Sequence, residues 1–204
     1  MSSSHTDSTR DFLDQWRRVA RRIRVPLGFV TAALYLTDLW QSKPQMWAVI
    51  ASLALVVPGL WLRGYASGYV KKNQELTQTG PYAYTRNPLY LGSMLMAAGF
   101  AFALLSWPIA LVLAIGFTVI YVPVISSEER FLRKTFADFD AYCTRVPRLV
   151  PRLGAARPAG EAGRFSFELY LRHREYNAAI GAVLLYLSLF LLRPAFGAFL
   201  HLLR

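Results

Sequence analysis

Hydrophobic residues along this chain gather in long blocks and do not alternate with polar ones. Residues 25–40 and 46–62 are two apolar blocks separated by a turn that contains Lys43 and Pro44. Residues 88–125 carry no charge and are broken only by Ser106-Trp107-Pro108, the punctuation of two helices joined by a tight hairpin. A further apolar block covers 177–192, and Arg193-Pro194 predicts an interruption before a last stretch containing His201. A bilayer crossing takes roughly 20 apolar residues, so the blocks predict an all-α, polytopic membrane protein of about five transmembrane helices. Residues 25–40 are short for a crossing unless neighbours such as Ile23 are drawn in. Pro58-Gly59 predicts a kink in the second span.

The polar stretches are equally organised. Residues 1–10 are polar, and 11–24 read as a basic interfacial helix with Phe12, Trp16, Val19 and Ile23 on one face. Residues 63–87 form a polar loop leading into the hairpin. After Ser127 an amphipathic helix is expected, with Glu128, Leu132, Phe136, Phe139 and Tyr142 on one face. The Pro-punctuated segment 146–152 ends it, a Gly/Ala/Pro-rich connector follows, and 165–174 reads as a short amphipathic helix. The expected division is therefore a tail and interfacial helix (1–24), two transmembrane helices (25–62), a catalytic region (63–152), a connector with an interfacial helix (153–176) and a C-terminal membrane segment (177–204).

Charge changes the picture in one respect. The chain of 204 residues is 54% hydrophobic and only 17% charged, yet its net charge is +11. Basic residues crowd before residue 25, between 63 and 86 and between 130 and 174, against Lys43 alone in the first opposite loop. The positive-inside rule then puts the N-terminus and both long polar stretches in the cytoplasm, against the anionic leaflet, and makes nucleic acid an unfavoured partner. A tight hairpin brings the start of its first helix and the end of its second side by side, so the two polar stretches converge on one cytoplasmic pocket. Cys143 is the only cysteine, which excludes an intramolecular disulfide. His5, His173 and His201 are too scattered for a metal site. The arginine-rich N-terminal segment has no small-residue cleavage site behind it, and the first helix is expected to stay in the protein.

Individual residues carry competing readings. Glu129 precedes Arg133 by four positions, the spacing of a surface ion pair. Glu128 has Phe131 and Leu132 as its helical neighbours, where a carboxylate is costly without a partner, and so reads as a pocket residue touching a cofactor or Arg86. Arg86 can snorkel to head groups or clamp an acceptor. Asn87-Pro88 is an ordinary helix start with Asn as N-cap. Tyr90 suits an aromatic belt or a pocket wall equally. Gly92 and Gly99 read first as helix-packing positions. Arg148 can bind lipid phosphate or a cofactor carboxylate.

The series Gly80-Pro81-Tyr82-x-Tyr84-x-Arg86-Asn87-Pro88-x-Tyr90-x-Gly92, then Gly99, then Glu128-Glu129, Leu132, Phe136, Tyr142 and Val146-Pro147-Arg148 resembles the isoprenylcysteine carboxyl methyltransferase family and its phospholipid methyltransferase relatives. The resemblance covers residues 80–152. It implies S-adenosylmethionine in a cytoplasm-facing pocket closed by the polar connectors, with a lipidic or prenylated acceptor entering from the bilayer. On that resemblance Arg86, Glu128 and Glu129 are the catalytic candidates. Gly80, Pro81, Tyr82, Tyr84, Asn87, Tyr90, Gly92, Gly99, Tyr142 and Arg148 are the cofactor-binding ones. The family commonly has His where this chain has Asn87, so acid/base work by an imidazole is not available there. A prenylcysteine-type carboxylate is the family-level acceptor. Phospholipid amines, small thiols, an NADPH-dependent sterol-reductase-like activity and a non-enzymatic membrane role are the alternatives.

Overall fold

A computed structural model describes residues 30–31, 33–37, 45–71, 74–156 and 163–202, with side chains as far as 192. The expected interfacial helix of 11–24 and most of the first apolar block lie outside the described residues, although residues 33–37 are helical. The described residues are all helical or irregular, without strands. In chain order they form α1 (Met46–Ser67), a 3-10 turn (Gly80–Ala83), α2 (Pro88–Leu104) and α3 (Trp107–Gly116). After a π-helical stretch (Phe117–Tyr121) follow α4 (Val122–Thr135), α5 (Phe139–Arg145), α6 (Phe167–Arg172) and α7 (Tyr176–Leu202).

Among the described residues two helices are long and apolar enough to cross a membrane, α1 and the continuous run Trp107–Thr135; Pro88–Leu104 and Tyr176–Leu192 are shorter apolar helices. Their outer faces explain what solvent they suit. Ile50, Leu53, Val57 and Trp61 on α1, Leu111 and Ile115 on α3, and Val183, Leu184 and Leu187 on α7 are all exposed. At about 25 cal/mol per Å², apolar faces of this extent are unfavourable in water and neutral in hydrocarbon.

The hairpin breaks where the sequence predicts. Leu105 turns left-handed (φ 51°) to end α2, Ser106 is extended, and Trp107-Pro108 opens α3. Pro at the second helical position loses no intrahelical bond. Three boundaries differ from expectation. α1 runs on through Arg63 to Ser67, because the Arg63 side chain finds partners on α2 and beside α7, so the polar loop begins at Gly68. The polar helix expected after Ser127 is the end of the hairpin's second helix itself, and it stops at Thr135. Phe136 is extended (φ −122°, ψ 120°), and α5 starts afresh at Phe139. The apolar pattern is nonetheless kept, since Leu132, Phe136 and Cys143 pack around buried Phe139, Tyr142 and Val146. Finally, α7 continues through Arg193-Pro194, as membrane helices tolerate a single missing N–H.

The π-helical turn inside the long helix precedes Pro123, whose missing N–H and ring displace the helical ladder. It leaves Phe117 stacked on Tyr121 (centroids 4.5 Å) and Tyr121 edge-on to Tyr90 (5.1 Å).

α1 and α2 approach backbone to backbone. A Cβ on Gly92 would meet the Gly59 carbonyl oxygen at 2.7 Å, and one on Gly59 would meet that of Gly92 at 2.7 Å. Pro58 lies beside this crossing without ending α1. α7 is tied to α1 by Ser52 Oγ and the Tyr186 hydroxyl at 2.6 Å, and to the first apolar block by Tyr35 and Ser188. Gly92→Val is expected to destabilise the protein by about 1–3 kcal/mol through overpacking. Gly181→Ala, where nothing lies within 4 Å, is expected to melt with wild type. Thermal unfolding in maltoside micelles checks both, and equal melting of Gly92→Val would mean that α1 and α2 do not touch here.

Candidate active site

The two polar connectors fasten to each other before they build anything. The Arg86 N–H donates to the Pro147 carbonyl (2.9 Å), the Arg152 N–H to Tyr84 (3.0 Å) and the Ala156 N–H to Ala83 (2.9 Å). Asn87 Nδ2 donates to the Arg148 carbonyl (2.9 Å), and the Thr85 hydroxyl donates to Leu149 (3.1 Å). Asn87 is thus at the first position before α2 without capping it, because its amide is spent on the strap 146–152. Gly80 has φ +60° and lies against the Tyr69 ring, 2.7 Å from where a Cβ would sit, so a glycine is required twice over.

At the centre stands Glu129, nearly two turns before the end of α4. Its carboxylate lies 3.3 Å from Arg86 Nη2 and 3.3 Å from Arg148 Nη2, with only 16% of the side chain exposed. Arg148 also donates to Ser126 Oγ (2.6 Å), and Arg86 contacts the Cys143 sulfur. Glu129 Oε1 makes no aligned hydrogen bond, so charge more than N–H geometry holds the pair. The surface pair Glu129–Arg133 does not form; Arg133 turns to Asp140 at 2.7 Å. The neighbouring glutamate differs. Glu128 is exposed to a cavity and faces the Tyr90 hydroxyl. Glu128 lines the cavity as expected of a pocket residue, but the carboxylate that meets Arg86 is Glu129.

The cavity has a volume of about 600 Å³ and is walled by Arg63, Tyr82, Arg86, Asn87, Tyr90, Tyr121, Glu128, Glu129, Phe139, Tyr142 and Glu175, among others. Within it Arg63 pairs with Glu175 (2.8 Å), Lys71 with Glu75 (3.2 Å) and Arg86 with Glu129. Glu128 is the lining carboxylate outside these pairs. Besides Glu129, two lining residues carry a buried polar atom without a hydrogen-bond partner, Arg86 Nε and Thr77 Oγ1, and Arg148 Nε behind Glu129 is another such atom. Such groups are costly unless a ligand or water meets them.

The sequence candidates divide accordingly. Arg86, Glu128, Glu129, Tyr82, Asn87, Tyr90 and Tyr142 line the cavity, and Arg148 backs it through Glu129. Gly80 and Pro81 are buried in the turn that carries Tyr82, and Tyr84 points outward, its carbonyl serving Arg152. Gly92 and Gly99 touch α1, where a Cβ on Gly99 would meet Val56 at 2.5 Å; they are packing residues and line no part of this cavity. Arg63 and Glu175 were not among the candidates. Their signal was present: Arg63 is the one charge on α1, and Glu175 the one acid in Arg172-His173-Arg174-Glu175.

Burial pushes the Tyr142 phenol far above its usual range, against the opposing effect of Arg86. Tyr82 is raised likewise by burial, then by Tyr142 and Glu128. Both act as neutral hydrogen-bonding walls, and the Tyr142 hydroxyl donates to the Tyr82 carbonyl at 2.7 Å.

Fold and site together define a helical protein with membrane-length apolar helices and a polar, charge-lined cavity at one end of them. Residues 45–138 match the family model for phospholipid methyltransferases. The chain is 33% identical over 150 residues to the nickel-cobalt-cadmium resistance protein NccN of Alcaligenes xylosoxydans xylosoxydans, covering 73% of this chain and 68% of that protein. It is 34% identical over 140 residues to the cobalt-zinc-cadmium resistance protein CzcN of Cupriavidus metallidurans, covering 66% of this chain and 64% of that protein. It thus spans about two thirds of the length of these curated relatives. No solved structure matches the chain. The chain belongs to the phospholipid methyltransferase family, to which isoprenylcysteine carboxyl methyltransferases are related, and carries its membrane methyltransferase domain. The family match reaches back over α1 and stops short of Tyr142 and Arg148.

The raised phenols predict a pH dependence. The unfolded chain ionises its tyrosines near about pH 10 while folded Tyr82 and Tyr142 stay protonated, so the folded state binds more protons there. Stability is expected to be level in these groups below about pH 10 and to fall above it, by up to about 1.4 kcal/mol per pH unit for each phenol. Tyr142→Phe is expected to lose about 1 kcal/mol at neutral pH with the hydrogen bond, and to fall less steeply in alkali. Melting temperatures recorded across the alkaline range check this; an unchanged slope would refute the assignment to Tyr142.

Proposed function

We propose that the protein is an S-adenosylmethionine-dependent integral-membrane methyltransferase that methylates a lipidic carboxylate of the prenylcysteine type. The observation that carries the reading is Glu128: a carboxylate outside the cavity's ion pairs, among tyrosine rings, in a space of about 600 Å³ whose wall also holds a partnerless arginine N–H group. With Arg86 Nε as the partnerless N–H in that wall, the set suits a ligand which is cationic at one point and carries a carboxylate at another. Small-molecule sites span roughly 300–1,000 Å³. When bound, the sulfonium supplies the methyl group.

Glu128 holds the positive part of the cofactor, and the faces of Tyr90 and Tyr121 add attraction of about 0.5–2 kcal/mol if they meet the sulfonium. Arg86, fixed by Glu129, offers its free Nε–H group to the cofactor carboxylate, and Arg148 holds Glu129 from behind. A carboxylate acceptor is already ionised, so no base is required and Asn87 in place of His is no obstacle. The protein's contribution is alignment and exclusion of water. Asn87 contributes by stapling the strap over the cavity. The same reading places the polar end of the molecule in the cytoplasm, following the distribution of Arg and Lys. N-methylation of a phospholipid amine is the second reading, favoured by the family's description. The two relatives are named for metal resistance. For this chain we infer any such link to run through the methylated product, because Glu129, Glu75 and Glu175 are already held by basic side chains that a metal would have to displace.

The test is to incubate purified protein with methyl-labelled S-adenosylmethionine and a membrane lipid extract. Wild type is expected to bind the cofactor and to label a lipid whose methyl group is released by mild base, as an ester's is and an amine's is not. Glu128→Gln and Arg86→Ala are each expected to weaken cofactor binding by about tenfold or more, the effect of losing one charge-assisted contact. Wild-type protein that binds no cofactor would sink the proposal; base-stable label would select the amine reading.

A further inference from the structure

A second cavity of about 620 Å³ lies between the apolar helices, lined by Met96, Phe100, Leu104, Leu113, Phe117 and Leu185 among others. Arg63, Ser93 and Tyr121 line both this cavity and the charged one, so the two meet at those side chains. At that junction Arg63 is gripped from two sides. On α2 it donates to Ser93 Oγ and, at 3.4 Å, to the Leu89 carbonyl. On its other edge Nε and Nη2 reach both oxygens of Glu175 at 2.8 to 3.1 Å, a forked arginine–carboxylate pair.

The two partners are not equally fixed. Arg63 belongs to a long helix packed backbone to backbone on α2, whereas Glu175 ends a three-residue turn between α6 and α7, next to Arg174 with its left-handed φ of 54°. The member that can leave is the carboxylate, and what replaces it must again offer a planar anion to the fork. An ammonium there would face the guanidinium with like charge.

The geometry points to Arg63 as the head-group site of a single-chain anionic amphiphile whose tail fills the apolar cavity, with Glu175 standing in for that head group when no ligand is bound. Arg63, and not Arg86, is then the acceptor clamp, since Arg86 is committed to Glu129. Only the word acceptor rests on the methyltransferase reading; the anion site itself does not. Glu175 sets the threshold for binding, since each ligand must displace it, and Ser93 keeps the guanidinium aimed once it has left.

The probe is palmitate, titrated against the full-length protein in neutral maltoside micelles, with hexadecylamine and acetate as comparisons. Glu175→Gln is expected to bind palmitate about tenfold more tightly than wild type, because an internal competitor is gone, and Arg63→Gln about tenfold more weakly. Leu113→Trp, which fills the apolar cavity, is expected to weaken palmitate several-fold. Acetate is expected to bind far more weakly than palmitate throughout. Hexadecylamine binding as tightly as palmitate, or Glu175→Gln leaving palmitate affinity unchanged, would overturn the proposal, even if Arg63→Gln fails to fold. S-adenosylhomocysteine titrated in parallel keeps the two readings apart. If it fails to bind while palmitate responds as expected, the methyltransferase reading falls and the anion site stands.

Discussion

Glu129 receives positive charge from both polar connectors at once, Arg86 from the one that enters α2 and Arg148 from the one that follows α5, each at 3.3 Å. Three segments distant in sequence therefore meet at one mostly buried carboxylate. Burying it alone would be unfavourable, whereas the three together hold one another in place. The backbone bonds from Arg86 to Pro147 and from Arg152 to Tyr84 run alongside and turn the contact into a strap. The cavity owes its walls to this arrangement, since Tyr82, Asn87 and Tyr142 all sit on the strapped segments.

Beneath the strap, the membrane helices impose a second constraint. Because Gly59 and Gly92 lack side chains, α1 lies close enough to α2 for Arg63 to reach Ser93 and Leu89. Beside the same crossing an apolar cavity opens, lined by residues of α1, α2, α3 and α7. Packing at two glycines and chemistry at one arginine are thus parts of one arrangement. A bulkier residue at the crossing would move the arginine as well as loosen the helices.

Much of this was legible in the residues, and what was not has identifiable causes. Charge-free blocks and Ser106-Trp107-Pro108 locate the hairpin, because hydrocarbon permits few alternatives to helix. The convergence of the polar stretches follows from hairpin length alone. Helix boundaries at charged residues were misplaced in opposite directions. Arg63 stays helical because a distant acid neutralises it, and the break at Phe136 is hidden because the apolar spacing of Leu132, Phe139 and Tyr142 survives it. The partners of Glu129 are hidden for a similar reason. Sequence spacing offers Arg133 to Glu129, whereas Asp140 claims Arg133 and leaves Glu129 to the connectors. The resemblance named residues of both connectors that line one cavity and, at Gly92 and Gly99, positions where α2 touches α1. A motif does not say which of its residues touch a ligand.

The adjacent glutamates then divide the labour in a way that their order on the helix makes possible. Consecutive residues on a helix point about 100° apart, so a pair at the rim of a cavity can send one side chain into the protein and the other into the space. Glu129 neutralises two arginines and so shapes the wall, and its charge is spent there. Glu128, turned toward Tyr90, keeps its charge for whatever enters. An alanine at 129 would leave Arg86 and Arg148 to repel each other across the strap, while an alanine at 128 would leave the wall intact and the cavity without its free carboxylate. The first loss is one of structure and, on the function proposed above, the second is one of binding, so two residues of the same type, side by side, are not interchangeable.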